Sequence, residues 1–310
     1  MTVGVMLMAY GSPRTLDEVR PYLQDIRGGR PPSDEGVQEL TERYRRIGGS
    51  SPLVDITQRT ARALEARLGP DRYRVRAGMK HWHPYIAESA ADLEDCDRVI
   101  GLGLAPHFSH MSIGGYESRL RDALQGGPDV SVVRSWWREP AFVEFTSAAL
   151  RDALADWEPS GTRVFFTAHS LPERILEQGD PYRDQLSESS RLVAEAAGVD
   201  GWEFAFQSAS HTGVPWLGPD ILDRLDAFAA EGGRRAVVVP IGFVSEHLEI
   251  LFDVDVECVE KAQAIGLELR RTALPNDDPR FVEVLASVVE RAESGDLGAG
   301  MPEDRAGVPA

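Results

Sequence analysis

Residues 7–13, Leu-Met-Ala-Tyr-Gly-Ser-Pro, return in altered form at residues 166–172, Phe-Thr-Ala-His-Ser-Leu-Pro. Each run has an apolar stretch, an Ala, a ring residue able to bind metal, and turn residues within reach of a Pro. Two further pairs follow in the same order. Gly101-Leu-Gly-Leu-Ala-Pro106, leading to Phe108-Ser109, matches Val237-Val-Val-Pro240, leading to Phe243-Val-Ser245; Pro140-Ala-Phe-Val-Glu144 matches Pro279-Arg-Phe-Val-Glu283. A single short match arises easily in a chain rich in Ala and Val. Three in one order point to an internal repeat, which confines the chain to two similar folding units. The spacing shortens along the chain, so the second copy lacks a connection present in the first. At the leading matched position Tyr10 answers to His169.

Within each copy the hydrophobic period alternates. Val3–Ala9 is an unbroken apolar run, the pattern of a strand buried on both faces. Residues 55–68 carry Ile56, Thr60, Ala63, Leu64 and Leu68 at helical spacing. Continued in this way, the pattern predicts strands at 3–9, 73–78, 99–104 and 130–133 with helices at 55–68, 85–94 and 116–124. The second copy gives strands at 163–168, 203–207, 235–240 and 267–272 with helices at 184–197, 219–230, 246–264 and 279–292. Strands alternating with helices imply parallel sheets covered on both faces. The expected fold is α/β: two similar doubly wound domains, each with a parallel four-stranded sheet, and a cleft between them. Trp157-Glu-Pro-Ser-Gly161 reads as the linker, dividing residues 1–157 from 158–293; the Gly-, Pro- and acid-rich tail 294–310 is expected to be disordered.

Charge narrows the partners. Lys plus Arg number 33 against 50 Asp plus Glu, a net charge of −17, which repels nucleic-acid backbones and anionic lipid headgroups. No apolar stretch approaches the roughly 18 residues of a membrane span, and no basic segment precedes the first strand, so a cytoplasmic protein is expected. The two cysteines, Cys96 and Cys258, are too few for a disulfide framework or a four-thiolate iron–sulfur cluster.

Ligands of open parallel sheets bind beyond the carboxyl ends of the strands. Nucleotide binding is disfavoured: Gly101-Leu-Gly103 lacks the third glycine, and there is no GxxxxGK[ST] motif. Tyr10 and His169 end the first strands of the two copies, so a pseudo-twofold arrangement sets a phenol and an imidazole on opposite walls of one cleft, a geometry for a flat ligand. Val244-Ser-Glu-His-Leu-Glu249 follows the Pro-broken strand of the second copy and brings Glu249 to the same sheet edge as His169. An imidazole and a carboxylate together can hold a divalent metal or accept protons near neutral pH. Glu246, Glu249, Asp253, Glu257 and Glu260 then recur at helical spacing, either as a solvated face or as a track for cations. Arg27, Arg30, Arg43, Arg45 and Arg46 cluster before the first helix of copy one, and guanidinium forks suit carboxylates. The pairs His81/His83 and His107/His110 have zinc-like spacing without further partners. His107 is expected to be hydrogen-bonded behind Pro106, and His211 and His247 to lie beside the site or in solvent.

Leu7–Pro13, Tyr44-Arg-Arg-Ile-Gly-Gly-Ser-Ser-Pro-Leu53, Gly78-Met-Lys-His81, Leu104-Ala-Pro-His-Phe-Ser109, Ala168-His-Ser-Leu-Pro172, Gln207-Ser208 with Pro215-Trp-Leu-Gly-Pro219, and Gly242-Phe-Val-Ser-Glu-His-Leu-Glu249 together resemble the ferrochelatases, in particular the water-soluble coproporphyrin ferrochelatases of Gram-positive-type bacteria. The resemblance spans about residues 3 to 292. It implies two Rossmann-like halves and insertion of Fe²⁺, a substrate, into coproporphyrin III to give coproheme, with no permanently bound cofactor. It also implies roles for residues. His169 and Glu249 would be the pair at the metal and the pyrrole nitrogens, with Tyr10 on the opposite face of the macrocycle. Arg27, Arg43, Tyr44, Ser51 and Tyr116 would hold the porphyrin and its propionates, and Asp253 with Glu257 would form an outer metal site. Transient contact with neighbouring haem-pathway enzymes belongs to the same expectation. Gly28 stands where relatives often have a second arginine, and residues 208–214 also depart from the family pattern. A protoporphyrin IX enzyme, a chelatase for a cobalt corrinoid precursor and a non-catalytic tetrapyrrole carrier are the alternatives.

Overall fold

The computed structural model describes residues 1–210 and 213–298. Strands β1 (Val3–Ala9), β2 (Tyr73–Met79), β3 (Arg98–Gly103) and β4 (Asp129–Val133) form one sheet in the order β2-β1-β3-β4; β5 (Thr162–His169), β6 (Trp202–Gln207), β7 (Arg235–Val239) and β8 (Glu268–Arg271) form a second in the order β6-β5-β7-β8. Every pairing is parallel. The identical strand order is the repeat made visible. Each copy's leading strand sits inside its sheet, with Val5 between Val75 and Ile100 and Phe166 between Phe204 and Val239. All seven residues of β1 are therefore buried, which is why its apolar run has no polar alternation.

The helices are α1 (Val19–Ile26), α2 (Asp34–Arg46), α3 (Leu53–Leu68), α4 (Ile86–Ala90), α5 (Gly115–Ala123), α6 (Pro140–Leu154), α7 (Arg174–Glu177), α8 (Tyr182–Ala197), α9 (Ile221–Ala230), α10 (Val259–Ile265) and α11 (Pro279–Glu293). Hydrophobic period did not reveal α1 and α2, and the arginine cluster assigned to a segment before the first helix lies largely inside α2. That helix buries only Tyr44, so it has almost no apolar stripe to detect. Its signals are electrostatic. The Ser33 side chain accepts a hydrogen bond from the Gly36 amide, Asp34 and Glu35 occupy the first turn, and Arg43, Arg45 and Arg46 the last, the order that complements the helix dipole. These two helices fill residues 10–52, where the second copy has only residues 170–181 and the short α7.

The closing helices are exchanged. Helix α6 ends the first copy in sequence, yet Leu150 joins Val164, Phe166, Leu186 and Val237 in the core of the second sheet. Helix α11 ends the second copy, yet Phe281, Val282, Leu285, Val288 and Val289 pack with Val3, Val5, Leu7, Leu64 and Ile100 of the first. Charged contacts follow the same path, with Arg67 to Glu283 at 2.7 Å and Arg72 to Glu293 at 2.9 Å. A division at residue 157 would thus part α11 from the core it completes. Residues 294–298 of the tail are held against the first sheet, where the Leu297 carbonyl accepts from the Arg134 amide at 2.9 Å; residues 299–310 and His211 lie outside the described residues.

The helix expected over 246–264 is two elements. Glu249–Cys258 is a π-helix and α10 follows it; a second π-helix, His110–Gly114, precedes α5 after the matched strand of the first copy. Hydrogen bonds from i to i+5 widen the turn, so the acidic residues do not form the single α-helical stripe predicted. Glu246 precedes the π-helix and pairs with Arg271 at 3.2 Å, while Glu260 lies in α10 and pairs with Arg46.

Phe281 is fully buried in the exchanged packing. Phe281→Ala should lower stability by about 3–5 kcal/mol, measured by denaturant unfolding, and should loosen amide protection in β1 before β5, because α11 covers the first sheet.

Candidate active site

Beyond the carboxyl ends of both sheets lies one cavity of about 570 Å³. Tyr10, Tyr44, Ser51, Tyr116, His169 and Glu249 all line it, so six of the residues singled out in the sequence meet there. Tyr10 follows β1 on a tight turn. Gly11 has φ +102°, and a Cβ on it would sit 2.9 Å from the Trp82 amide nitrogen; a side chain there would displace the Tyr10 turn. His169 is the last residue of β5. Gly242 lets the turn after β7 close on β5, since a Cβ there would lie 2.6 Å from that of Ala168.

His169 is oriented from behind. Its Nδ1 faces the Ser170 carbonyl, and its own carbonyl accepts from the Tyr182 hydroxyl at 3.1 Å. A carbonyl only accepts, so Nδ1 carries the proton and Nε2 is left for chemistry. Nε2 is 3.5 Å from Glu249 Oε1, and Glu249 Oε2 is 3.5 Å from His247 Nε2. The Gln207 side-chain amide holds the Glu249 carbonyl at 2.9 Å. Burial raises the Glu249 pKa, but His169, His247 and Arg43 outweigh it and bring the carboxyl down to about 2. Burial likewise disfavours a charged His247, yet Glu249 opposite Nε2 and the Ser245 carbonyl at Nδ1 lift it above the ordinary imidazole value. Glu249 is thus an anion between two imidazoles. His247, expected beside the site or in solvent, is one of its partners.

The opposite wall is aromatic. The Tyr10 ring lies 4.7 Å from the His81 ring, and burial followed by the field of Glu249 pushes the Tyr10 phenol well above its ordinary range. Tyr116 is raised by burial, then Tyr10, then Glu249. A carboxylate of the second half therefore acts on phenols of the first across one space. Tyr44 donates or accepts with Ser12 at 3.1 Å, and Ser51 accepts from the Leu53 amide at 3.3 Å.

Other expected residues stand apart. Arg43 does not face the cavity: its guanidinium lies 3.1 Å from Asp253 and 3.7 Å from Glu257, over the Phe252 ring. One arginine thus offsets one of the two charges of the outer acidic pair. Burial raises the Asp253 pKa to about 6 despite Arg43, and the Ser208 hydroxyl donates to its other oxygen. Arg27 caps the exposed end of α1. The HxH and HxxH pairs diverge: His81 Nδ1 meets Asp25 and His83 meets Glu88, both at 2.8 Å. His107 lines the cavity with both ring nitrogens buried, its ring nearly parallel to that of Trp137 with centres 6.5 Å apart; among the described residues the expected hydrogen bond is absent, and burial drops its pKa to about 3. Tyr22, Lys80, Met111, Tyr182 and Phe243 also line the cavity. Lys80 and Phe243 stand in the 78–81 and 242–249 motifs, whereas nothing in the spacing of Tyr22, Met111 and Tyr182 marked them, because they arrive from three different segments.

A ferrochelatase family profile matches residues 2–293. The chain belongs to the ferrochelatase family. Among curated relatives, a ferrochelatase of Herpetosiphon aurantiacus is 44% identical over 298 residues, covering 92% of this chain and 97% of the relative. Coproporphyrin III ferrochelatases of Geobacillus thermodenitrificans and Bacillus subtilis are 40% and 39% identical, covering 95% and 93% of this chain and 98% and 96% of theirs. Of solved structures, SirB from Bacillus subtilis with Fe³⁺ superposes with a TM-score of 0.59 at 10% identity, covering 96% of this chain and 99% of that one. CbiX of denitrifying bacteria gives 0.51 at 16%, covering 94% and 99%. At these identities the superpositions show that the fold is shared.

A carboxylate held below its unfolded pKa adds stability that is complete above about 4.5 and is lost as pH falls toward about 2. Glu249→Gln should lack this dependence, so the difference in melting temperature between wild type and variant should shrink as pH falls across that window, and shrink again as pH rises past the ordinary imidazole range, where His247, held up by Glu249, loses its proton.

Proposed function

We propose that this ferrochelatase inserts ferrous iron into coproporphyrin III, with His169, Glu249 and Tyr10 at the reacting centre. The observation carrying the residue assignment is that these three side chains, from opposite halves, line one cavity. The porphyrin assignment is supported by the relatives named coproporphyrin III ferrochelatase.

Metallation requires two pyrrole N–H bonds to break as the ion enters, with release of two protons. His169 Nε2, with Nδ1 committed to a carbonyl, accepts the first proton, passes it to solvent from its part-exposed ring, and then accepts the second. Glu249, ionised at neutral pH, stabilises the imidazolium that forms and offers an oxygen to the incoming Fe²⁺ from the same side. His247 shares the Glu249 charge and keeps that carboxylate oriented. Tyr10 faces the far side of the ring and remains a neutral phenol, so it packs against the macrocycle without competing for its protons. Rigid walls from two sheets can hold a bent macrocycle, which exposes pyrrole lone pairs and favours the transition state over the flat ground state. Among the described residues no helix is long and apolar enough to cross a membrane; a cytoplasmic location and passing contacts with neighbouring pathway enzymes complete the proposal.

Anaerobic mixing with Fe²⁺ and either coproporphyrin III or protoporphyrin IX should convert the free-base spectrum to the metallated one, faster for coproporphyrin III. His169→Ala should lower kcat by about 10²- to 10⁴-fold while porphyrin still quenches protein fluorescence. Tight porphyrin binding without turnover by the wild type would instead identify a carrier.

A further inference from the structure

One carboxylate joins the two walls of the cavity from behind. Asp180, in the turn before α8, is buried, and both of its oxygens accept. Oδ2 takes the Ser109 hydroxyl at 2.9 Å and the His110 amide at 2.8 Å, while Oδ1 takes the Tyr182 amide at 3.0 Å. Ser109 and His110 belong to the first half and stand at the start of its π-helix, where the Ser109 oxygen also accepts from the Met111 amide at 3.2 Å. One turn into α8, Gln185 makes the same crossing, its Oε1 accepting from the Phe108 amide at 2.8 Å. Among the described residues no Lys or Arg pairs with Asp180, so its three donors are what compensates its burial.

A piece of the cavity follows on each side of that carboxylate. On the first-half side, the π-helix and the start of α5 bring Met111, Ser112 and Tyr116 to the cavity. On the second-half side, Tyr182 lines the cavity and donates its hydroxyl to the His169 carbonyl at 3.1 Å. The exchanged helices set how far apart the sheets stand, but hydrophobic packing has no direction. Hydrogen bonds do, so Asp180 fixes how the first-half wall is oriented against the support of His169.

We propose that Asp180 is a positioning residue for metal insertion: it clasps the first-half π-helix to the segment that holds His169, and the stiffness of that clasp keeps the bound macrocycle bent. The proposal rests on the porphyrin reading above. Asp180 is not among the residues lining the cavity, so it acts through Ser109, His110 and Tyr182. A wall free to yield would let the ring relax toward its flat ground state, which binds at least as well and reacts more slowly.

The test uses the purified full chain and Asp180→Asn, which keeps the size of the side chain but turns an N–H₂ group toward donors that an oxygen now receives. With coproporphyrin III and Zn²⁺, kcat should fall by about 10- to 100-fold, while Kd from fluorescence quenching stays the same or tightens. Resonance Raman lines of the bound free-base porphyrin that report out-of-plane distortion should weaken. Ser109→Ala, which removes only the first-half hydroxyl, should act in the same direction by a smaller factor, and it carries the test alone should Asp180→Asn not fold. Unchanged kcat, or a loss of binding in proportion to the loss of kcat, would overturn the clasp, the second outcome being that of a damaged fold. Failure of the wild type to metallate porphyrin would instead refute the functional reading. Hydrogen exchange without porphyrin still decides the clasp in that case: the amides of residues 111–114 should exchange about tenfold faster or more in Asp180→Asn while those of β1 and β5 keep their protection, and equal protection at 111–114 would overturn it.

Discussion

The site depends on the exchange of closing helices. Two doubly wound sheets joined by a linker would be free to drift apart, and an imidazole on one could not be held opposite a phenol on the other. Here α11 completes the first core and α6 the second, so separating the sheets would expose apolar surface from both. The hydrophobic effect that stabilises each core therefore also fixes the width of the cleft. Tyr10 and His169, each at the end of a central strand, inherit that rigidity.

On this frame the two copies have diverged in chemistry. The second copy contributes polar groups in series: the Ser170 carbonyl, His169, Glu249 and His247, with Gln207 behind. The first contributes phenols and the inserted helices α1 and α2, which bring Tyr22 and Tyr44 over the cavity. One wall handles charge and protons, and the other presents flat surface. A planar ligand whose centre loses protons and gains a cation fits between walls of that kind.

The arginines show how charge pattern misleads when read along the chain. Their clustering suggested a ready carboxylate-binding edge, yet Arg43 and Arg46 are engaged with Asp253, Glu257 and Glu260 across the cleft mouth. The same contacts change the reading of the acidic residues, which pair with cations from the other half instead of forming one exposed stripe. Whether a charge is available depends on what lies opposite, and the opposite residue is about two hundred positions away in sequence.

Alternating period, the matched Tyr10 and His169, and the Pro-broken strands before Glu249 were legible in the sequence because each depends on local chain geometry: burial on both faces of a strand, or position at a strand's end. The common edge and the meeting of His169 with Glu249 follow from those local rules. The π-helix, the helix exchange and the pairing of His247 were not legible. Each is settled by a competition between distant groups for space or charge, and only the folded chain determines which neighbour wins.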